Sequence, residues 1–185
     1  MCFLGLEVHP VQGEQHADSE CVTGCQKDWT ANDQHCYFWS TSSDTWDRAE
    51  QTCRSEGGHL ASVATSATSD YILSELTGRE TPEDLWVGGK REEDSTAWKW
   101  TDGSVWDVNV TSWATGRPDP GPYNDLECLK FEAPAGVWRD KKCNTMHDFV
   151  CSVRICPSGI IIFNHLIQLL PNLLLSEEIL EHKYF

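Results

Sequence analysis

Between Cys25 and Cys151, six cysteines punctuate a segment whose other landmarks are tryptophans and glycines in a fixed order. Cys25 and Trp29 lead into Cys36-Tyr37-Phe38-Trp39, and Trp46 and Ala49 lead to Cys53. Gly57-Gly58-His59-Leu60, Leu85-Trp86-Val87-Gly88-Gly89 and Trp98-Lys99-Trp100-Thr101-Asp102-Gly103 follow. Cys128-Leu129, Trp138-Arg139-Asp140, Cys143 and Phe149-Val150-Cys151 close the series. Turn signals at such short intervals (Gly57-Gly58, Gly88-Gly89, Asp102-Gly103, Pro118 to Pro122) argue against a helical bundle and for a mixed fold with long loops. Cysteines this dense imply covalent staples in one small recognition module.

The chain has nine cysteines in 185 residues, a usage that belongs to an oxidising compartment. No Cys-x-x-Cys pair exists, and Cys21, Cys25, His35 and Cys36 fit zinc spacing poorly. Secretion is therefore expected. Met1 to Leu6 nonetheless lacks a basic residue and Glu7 cuts the apolar run short, so no recognisable signal peptide is present in this sequence. A net charge of -15 with no clustered Lys or Arg excludes nucleic acid as a partner.

Three regions are expected: a flexible lead-in over 1–20, a domain over 21–156 and an apolar tail over 157–185. Ile160 to Leu175 is broken by Asn164, His165, Gln168, Pro171 and Asn172, so membrane anchoring by this tail is not expected. Within the domain, one helix is predicted from an N-cap at Ser43 or Asp44 to Gly57, burying Trp46, Ala49 and Cys53. A second is predicted from near Ser66 to Gly78, with Ile72, Leu73 and Leu76 inward. Strands are predicted at Cys36–Trp39, Leu85–Val87, Trp98–Thr101, Cys128–Phe131, Val137–Arg139 and Phe149–Val153. Val105 to Tyr123 lacks pattern, and loops that long are commonly functional.

These motifs resemble the long form of the C-type lectin-like domain over about two-thirds of the chain. The resemblance implies an α+β double-loop fold: two helices, two small antiparallel sheets and a long ligand loop. It also implies the disulfides Cys25–Cys36, Cys53–Cys151 and Cys128–Cys143. Cys21 and Cys156 flank the domain and either pair together or reach a second chain; Cys2 is unassigned. Trp29, Trp46, Trp86, Trp98, Trp100 and Trp138 are expected in the core. Trp106, Trp113 and Tyr123 have the better claim to face a ligand.

Calcium-dependent sugar binding in this family uses loop carboxylates and carboxamides, because calcium takes six to eight oxygen ligands. Here the motif departs. Arg117-Pro118-Asp119 stands where Glu-Pro-Asn or Gln-Pro-Asp is usual, Leu126 replaces a glutamate, and Trp138-Arg139-Asp140 replaces Trp-Asn-Asp. Only Asp119 and Asp140 survive by position, and two arginines oppose a dication. A shifted loop would gather Asp119, Asp125, Glu127 and Asp140 as a four-carboxylate calcium cluster. The favoured expectation is instead that these acids pair with Arg117, Arg139 and Lys141, so calcium as cofactor is doubtful. Pro118 stands where calcium-bound family members carry a cis proline, and its own isomer is left open by the sequence.

The candidate ligand-binding set is thus Arg117, Asp119, Asp125, Glu127, Arg139 and Asp140. Asn109-Val110-Thr111 is an N-glycosylation sequon. Catalysis is not expected: no His-Glu-x-x-His, Gly-x-Ser-x-Gly or P-loop occurs, and His35, His59 and His147 are scattered. The expected function is a non-enzymatic extracellular recognition domain binding carbohydrate through the long loop. The alternative is a calcium-independent protein-binding or structural member of the family. Ligand identity and oligomeric state stay open.

Overall fold

The computed structural model describes residues 21–78, 84–91, 95–120 and 127–157. The lead-in over 1–20 with Cys2, nearly all of the tail, Tyr123, Asp125 and Leu126 lie outside the described residues. In chain order the elements are β1 (Cys21–Val22), β2 (Thr30–Asn32), β3 (His35–Trp39), α1 (Trp46–Ser55), β4 (His59–Leu60) and α2 (Ser66–Thr77). They continue with β5 (Leu85–Arg91), β6 (Trp98–Trp100), a 3-10 turn at Val108–Val110, β7 (Glu127–Glu132), β8 (Val137–Lys142) and β9 (Asp148–Ile155).

Two antiparallel ladders organise the strands. One sets β2 against β3 and β3 against β9; the other sets β5 against β6 and β7, and β7 against β8. These ladders are the two small antiparallel sheets expected from the sequence, and one parallel pairing links them. Leu85 and Trp86 pair in parallel with Asp148 and Phe149, so β9 joins both ladders into one mixed sheet. β1 and β4 also pair with β9, which makes the last strand the hub of the fold.

The helix ends follow from local bonding. α1 begins at Trp46, later than Ser43 or Asp44 suggested, because the Asp44 backbone is tied to His147 by N–H···O bonds of 3.0 and 3.1 Å. Thr45 is still extended, at φ -69° and ψ 155°, and is itself the cap, so the first helical residue is Trp46. The C-terminus closes as a Schellman motif: Gly58 N–H donates to Cys53 O at 2.9 Å and Gly57 N–H to Arg54 O at 3.0 Å. Gly57 supplies the positive φ of 82° that the motif needs. α2 is capped by Thr65, whose Oγ1 accepts from Thr68 N–H at 3.1 Å.

Strand alternation sorts the apolar residues into two layers. Leu85, Val87, Leu129, Phe131, Trp138 and Val150 join Ile72 and Leu76 of α2 in one cluster. Trp86, Cys128, Phe149 and Cys151 join Trp46, Ala49 and Cys53 of α1 in the other. All six tryptophans expected in the core are buried, whereas Trp106 and Trp113 are half-buried against the first cluster. Disulfides join Cys25 to Cys36, Cys53 to Cys151, Cys128 to Cys143 and Cys21 to Cys156. The fourth bridge brings the two borders of the domain together.

Candidate ligand-binding site on the long loop

The long loop leaves β6 at Trp100 and docks back onto β8. Ala114 N–H donates to Trp138 O at 2.9 Å, and Trp138 N–H donates to Ser112 O at 2.7 Å. Beneath it, the Trp106 ring lies 4.6 Å from Trp100 and 5.4 Å from Trp138 by centroids, and Trp113 lies 5.0 Å from Trp98. The two loop tryptophans therefore spend much of their surface anchoring the loop.

β7 and β8 decide which charged residues meet this loop. Their register pairs Leu129 with Asp140 and Phe131 with Trp138 on the loop face. Lys130 with Arg139 and Cys128 with Lys141 fall on the other face. Asp140 thus faces the loop and Arg139 cannot. Arg139, expected beside the loop acids, instead pairs on the opposite face of the sheet. Its Nε and Nη2 reach Glu132 at 2.8 and 3.0 Å, and Glu132 also takes Lys130 at 3.1 Å. Burial pushes the Glu132 carboxyl up, but the bonds from Arg139 and Lys130 outweigh it and hold the group below its ordinary range.

On the loop face, Asp140 is buried, with 1% of its side chain exposed. Its Oδ1 accepts from Arg117 Nη1 at 3.2 Å and its Oδ2 from Asp119 N–H at 2.7 Å. Arg117 Nη1 also lies 3.5 Å from Asp119 Oδ2, and the Arg117–Pro118 bond is cis. Arg91, unforeseen from sequence, completes the cluster. It is 2% exposed, donates to the Glu127 carboxylate, and directs Nη1 to Asp119 O at 3.5 Å. Its guanidinium lies 5.6 Å from the Trp98 ring centroid. β5 had been expected to stop at Val87. It runs on to Arg91, and continuing the alternation Leu85, Val87, Gly89, Arg91 places that arginine on the loop face.

The arrangement therefore brings Arg117, Asp119, Glu127 and Asp140 together with Arg91, and leaves Arg139 out. Burial raises the Glu127 carboxyl above its ordinary range; Arg91 opposes this, while Asp140 and Asp119 add to it. Of the four carboxylates of the calcium cluster, Asp125 lies outside the described residues, and two of the other three are already engaged. Both Asp140 oxygens and the Glu127 carboxylate already accept from arginine or backbone N–H. Among the described residues no group of three or more His, Cys, Asp and Glu is placed to hold a metal ion. The three histidines do not converge: His59 Nδ1 meets Glu50 at 2.7 Å, His147 sits edge-on to Trp86 and His35 beside Tyr37.

A second polar knot, also missed from sequence, holds the root of the loop. Buried Glu50 of α1 accepts from Arg54 Nε at 2.9 Å, Leu60 N–H at 2.9 Å and Thr101 Oγ1 at 2.7 Å, besides meeting His59. It pins helix, β4 and the start of the loop to one carboxylate. Glu50 at a position facing the sheet, three residues before Cys53, is the signal that could have revealed it.

A stapled mixed sheet with two helices and a long loop above its far strands is the architecture of a recognition module. The lectin C-type domain profile matches residues 42–153, and the chain belongs to that family. Lymphocyte antigen 75 of Homo sapiens is 28% identical over 130 residues, covering 70% of this chain and 7% of its own length. The chain thus spans less than a tenth of that curated relative. A calcium-independent type II antifreeze protein superposes with a TM-score of 0.62 at 29% identity, covering 72% of this chain and 96% of its own. The C-type lectin domain of murine dendritic cell inhibitory receptor 2, solved in complex with an N-glycan, gives 0.60 at 27%, covering 71% and 99%.

Proposed function

We propose that this domain is a non-enzymatic, extracellular recognition module that binds its ligand through the Arg117–Asp119 edge of the long loop without calcium. One observation carries the reading: the buried Asp140 has both oxygens taken, by Arg117 and by Asp119 N–H. A guanidinium does there the charge-neutralising work that a dication does elsewhere in the family. Four disulfides support an oxidising, extracellular setting. Without a metal to coordinate sugar hydroxyls, an accessible Arg117 and Asp119 suit a protein surface, where arginine is enriched among contacts that dominate binding. Glycan binding is the second reading, favoured by the relative solved with an N-glycan.

The test is a glycan array and a panel of secreted and cell-surface proteins, each probed in calcium and in a calcium chelator. The expected result is a protein target bound equally in both conditions and lost on Arg117→Ala. A glycan signal released by the chelator would overturn the reading.

A further inference from the structure

Asn109-Val110-Thr111 is the only Asn-x-Ser/Thr triplet in the 185 residues, and nothing in the proposed ligand edge uses it. Asn109 is exposed on the 3-10 turn Val108–Val110, which Asp107 caps by accepting from Asn109 N–H at 2.8 Å. The same Asp107 oxygen accepts from Asn109 Nδ2 at 2.9 Å, and Thr111 Oγ1 donates to Val108 O at 3.1 Å. Val108 in this turn and Val105 three residues before it are left uncovered by the fold. Val105 is 82% exposed and Val108 73%, and with Met146 they are the exposed large hydrophobics among the described residues.

We infer that Asn109 carries an N-linked glycan whose first sugars cover Val105 and Val108, closing this half of the long loop and leaving the Arg117–Asp119 edge as its open part. The transfer balances on this amide. A sugar C1–Nδ2 bond forms from a lipid-linked oligosaccharide, the polyprenyl diphosphate leaves, and one Nδ2 proton is lost. The second Nδ2 hydrogen remains to donate to Asp107, so the folded turn keeps its bond after modification. The capped turn and the Thr111 bond hold the acceptor out in solvent, as an attached glycan requires. The sugar rings' C–H faces then remove from water the two aliphatic side chains that the core does not take. The disulfides support passage through the compartment in which such transfer occurs.

The test secretes the full chain from animal cells and reads intact mass and peptide map before and after peptide-N-glycosidase. Wild type and Thr111→Ser are expected to carry one glycan at Asn109, and Asn109→Gln none. A hydrophobic dye is then expected to bind more to enzymatically deglycosylated wild type and to Asn109→Gln. Adding Val105→Ser and Val108→Ser to Asn109→Gln should abolish the gain. Secreted protein with Asn109 unmodified overturns the assignment. Dye binding unchanged by deglycosylation of folded wild type overturns the cover. Both readouts are independent of ligand, so their failure is distinct from failure of the proposed recognition edge.

Discussion

Asp140 and Arg139 are sequence neighbours with opposite duties, because successive strand residues point to opposite faces. Asp140→Asn removes the charge that Arg117 answers, and should cost about 2 kcal/mol in urea unfolding, less than a fully buried pair because Arg117 is partly exposed. Arg139→Ala, breaking a pair on the more accessible face, should cost clearly less than Asp140→Asn. Equal costs would contradict the division of faces. Glu50 supplies a pH signature. Burial pushes its carboxyl up, but bonds from His59, Leu60 N–H, Thr101 and Arg54 outweigh burial and hold it below the ordinary range. The unfolded chain then binds protons first. Glu50's contribution is fully present above the ordinary carboxylate pKa of about 4.3 and is lost as pH falls through the lowered folded value. Glu127 has the reverse sign, with its contribution present below that ordinary value and lost as pH rises through its raised one. Unfolding free energies across acid pH should therefore fall less steeply for Glu50→Gln than for wild type. An unchanged slope would sink the assignment.

At the scale of elements, the approach of β5 to β4 is set by glycine. A Cβ on Gly88 would stand 2.4 Å from Leu60 O, whereas one on Gly89 would meet the Leu129 side chain at 2.7 Å. Backbone cannot yield as a leucine can. Gly88→Ala should cost about 3 kcal/mol by thermal or urea unfolding, and more than Gly89→Ala. Gly88 also leaves the β5–β7 ladder at its bulge, bonding Ala61 O and Thr101 N–H instead. Among the described residues, both helices and six of the nine strands were legible because their apolar spacing and turn residues are local signals. β1 and β4 were not, being two residues long and fixed by pairing with β9 far along the chain; β2, three residues paired with the adjacent β3, carries no apolar alternation to reveal it. Arg91 was missed for a related reason: paired glycines read as a turn, while the structure uses them as a bulge inside a continuing strand.

For the whole molecule, the covalent frame and the sheet hub do the same work. Cys53–Cys151 spans 98 residues and Cys21–Cys156 spans 135, both ending on or beside β9. In the chain-entropy picture a closure of that length removes about 4–5 kcal/mol of unfolded-state freedom. Cys53–Cys151 was implied by the family resemblance that cysteine order and tryptophan spacing carry, whereas the pairing of Cys21 and Cys156 was left open between each other and a second chain. The candidate site was readable only in part, since Arg117, Asp119 and Asp140 sit at motif positions while their pairing depends on strand register. The central claim is that arginine, through Arg117 and Arg91, occupies the role calcium plays in metal-binding relatives. Thermal unfolding in millimolar calcium against chelator tests it most directly. The account predicts one melting temperature in both conditions, with a lowered value for Arg117→Ala. A rise of several degrees in calcium, abolished by Asp119→Ala, would contradict it.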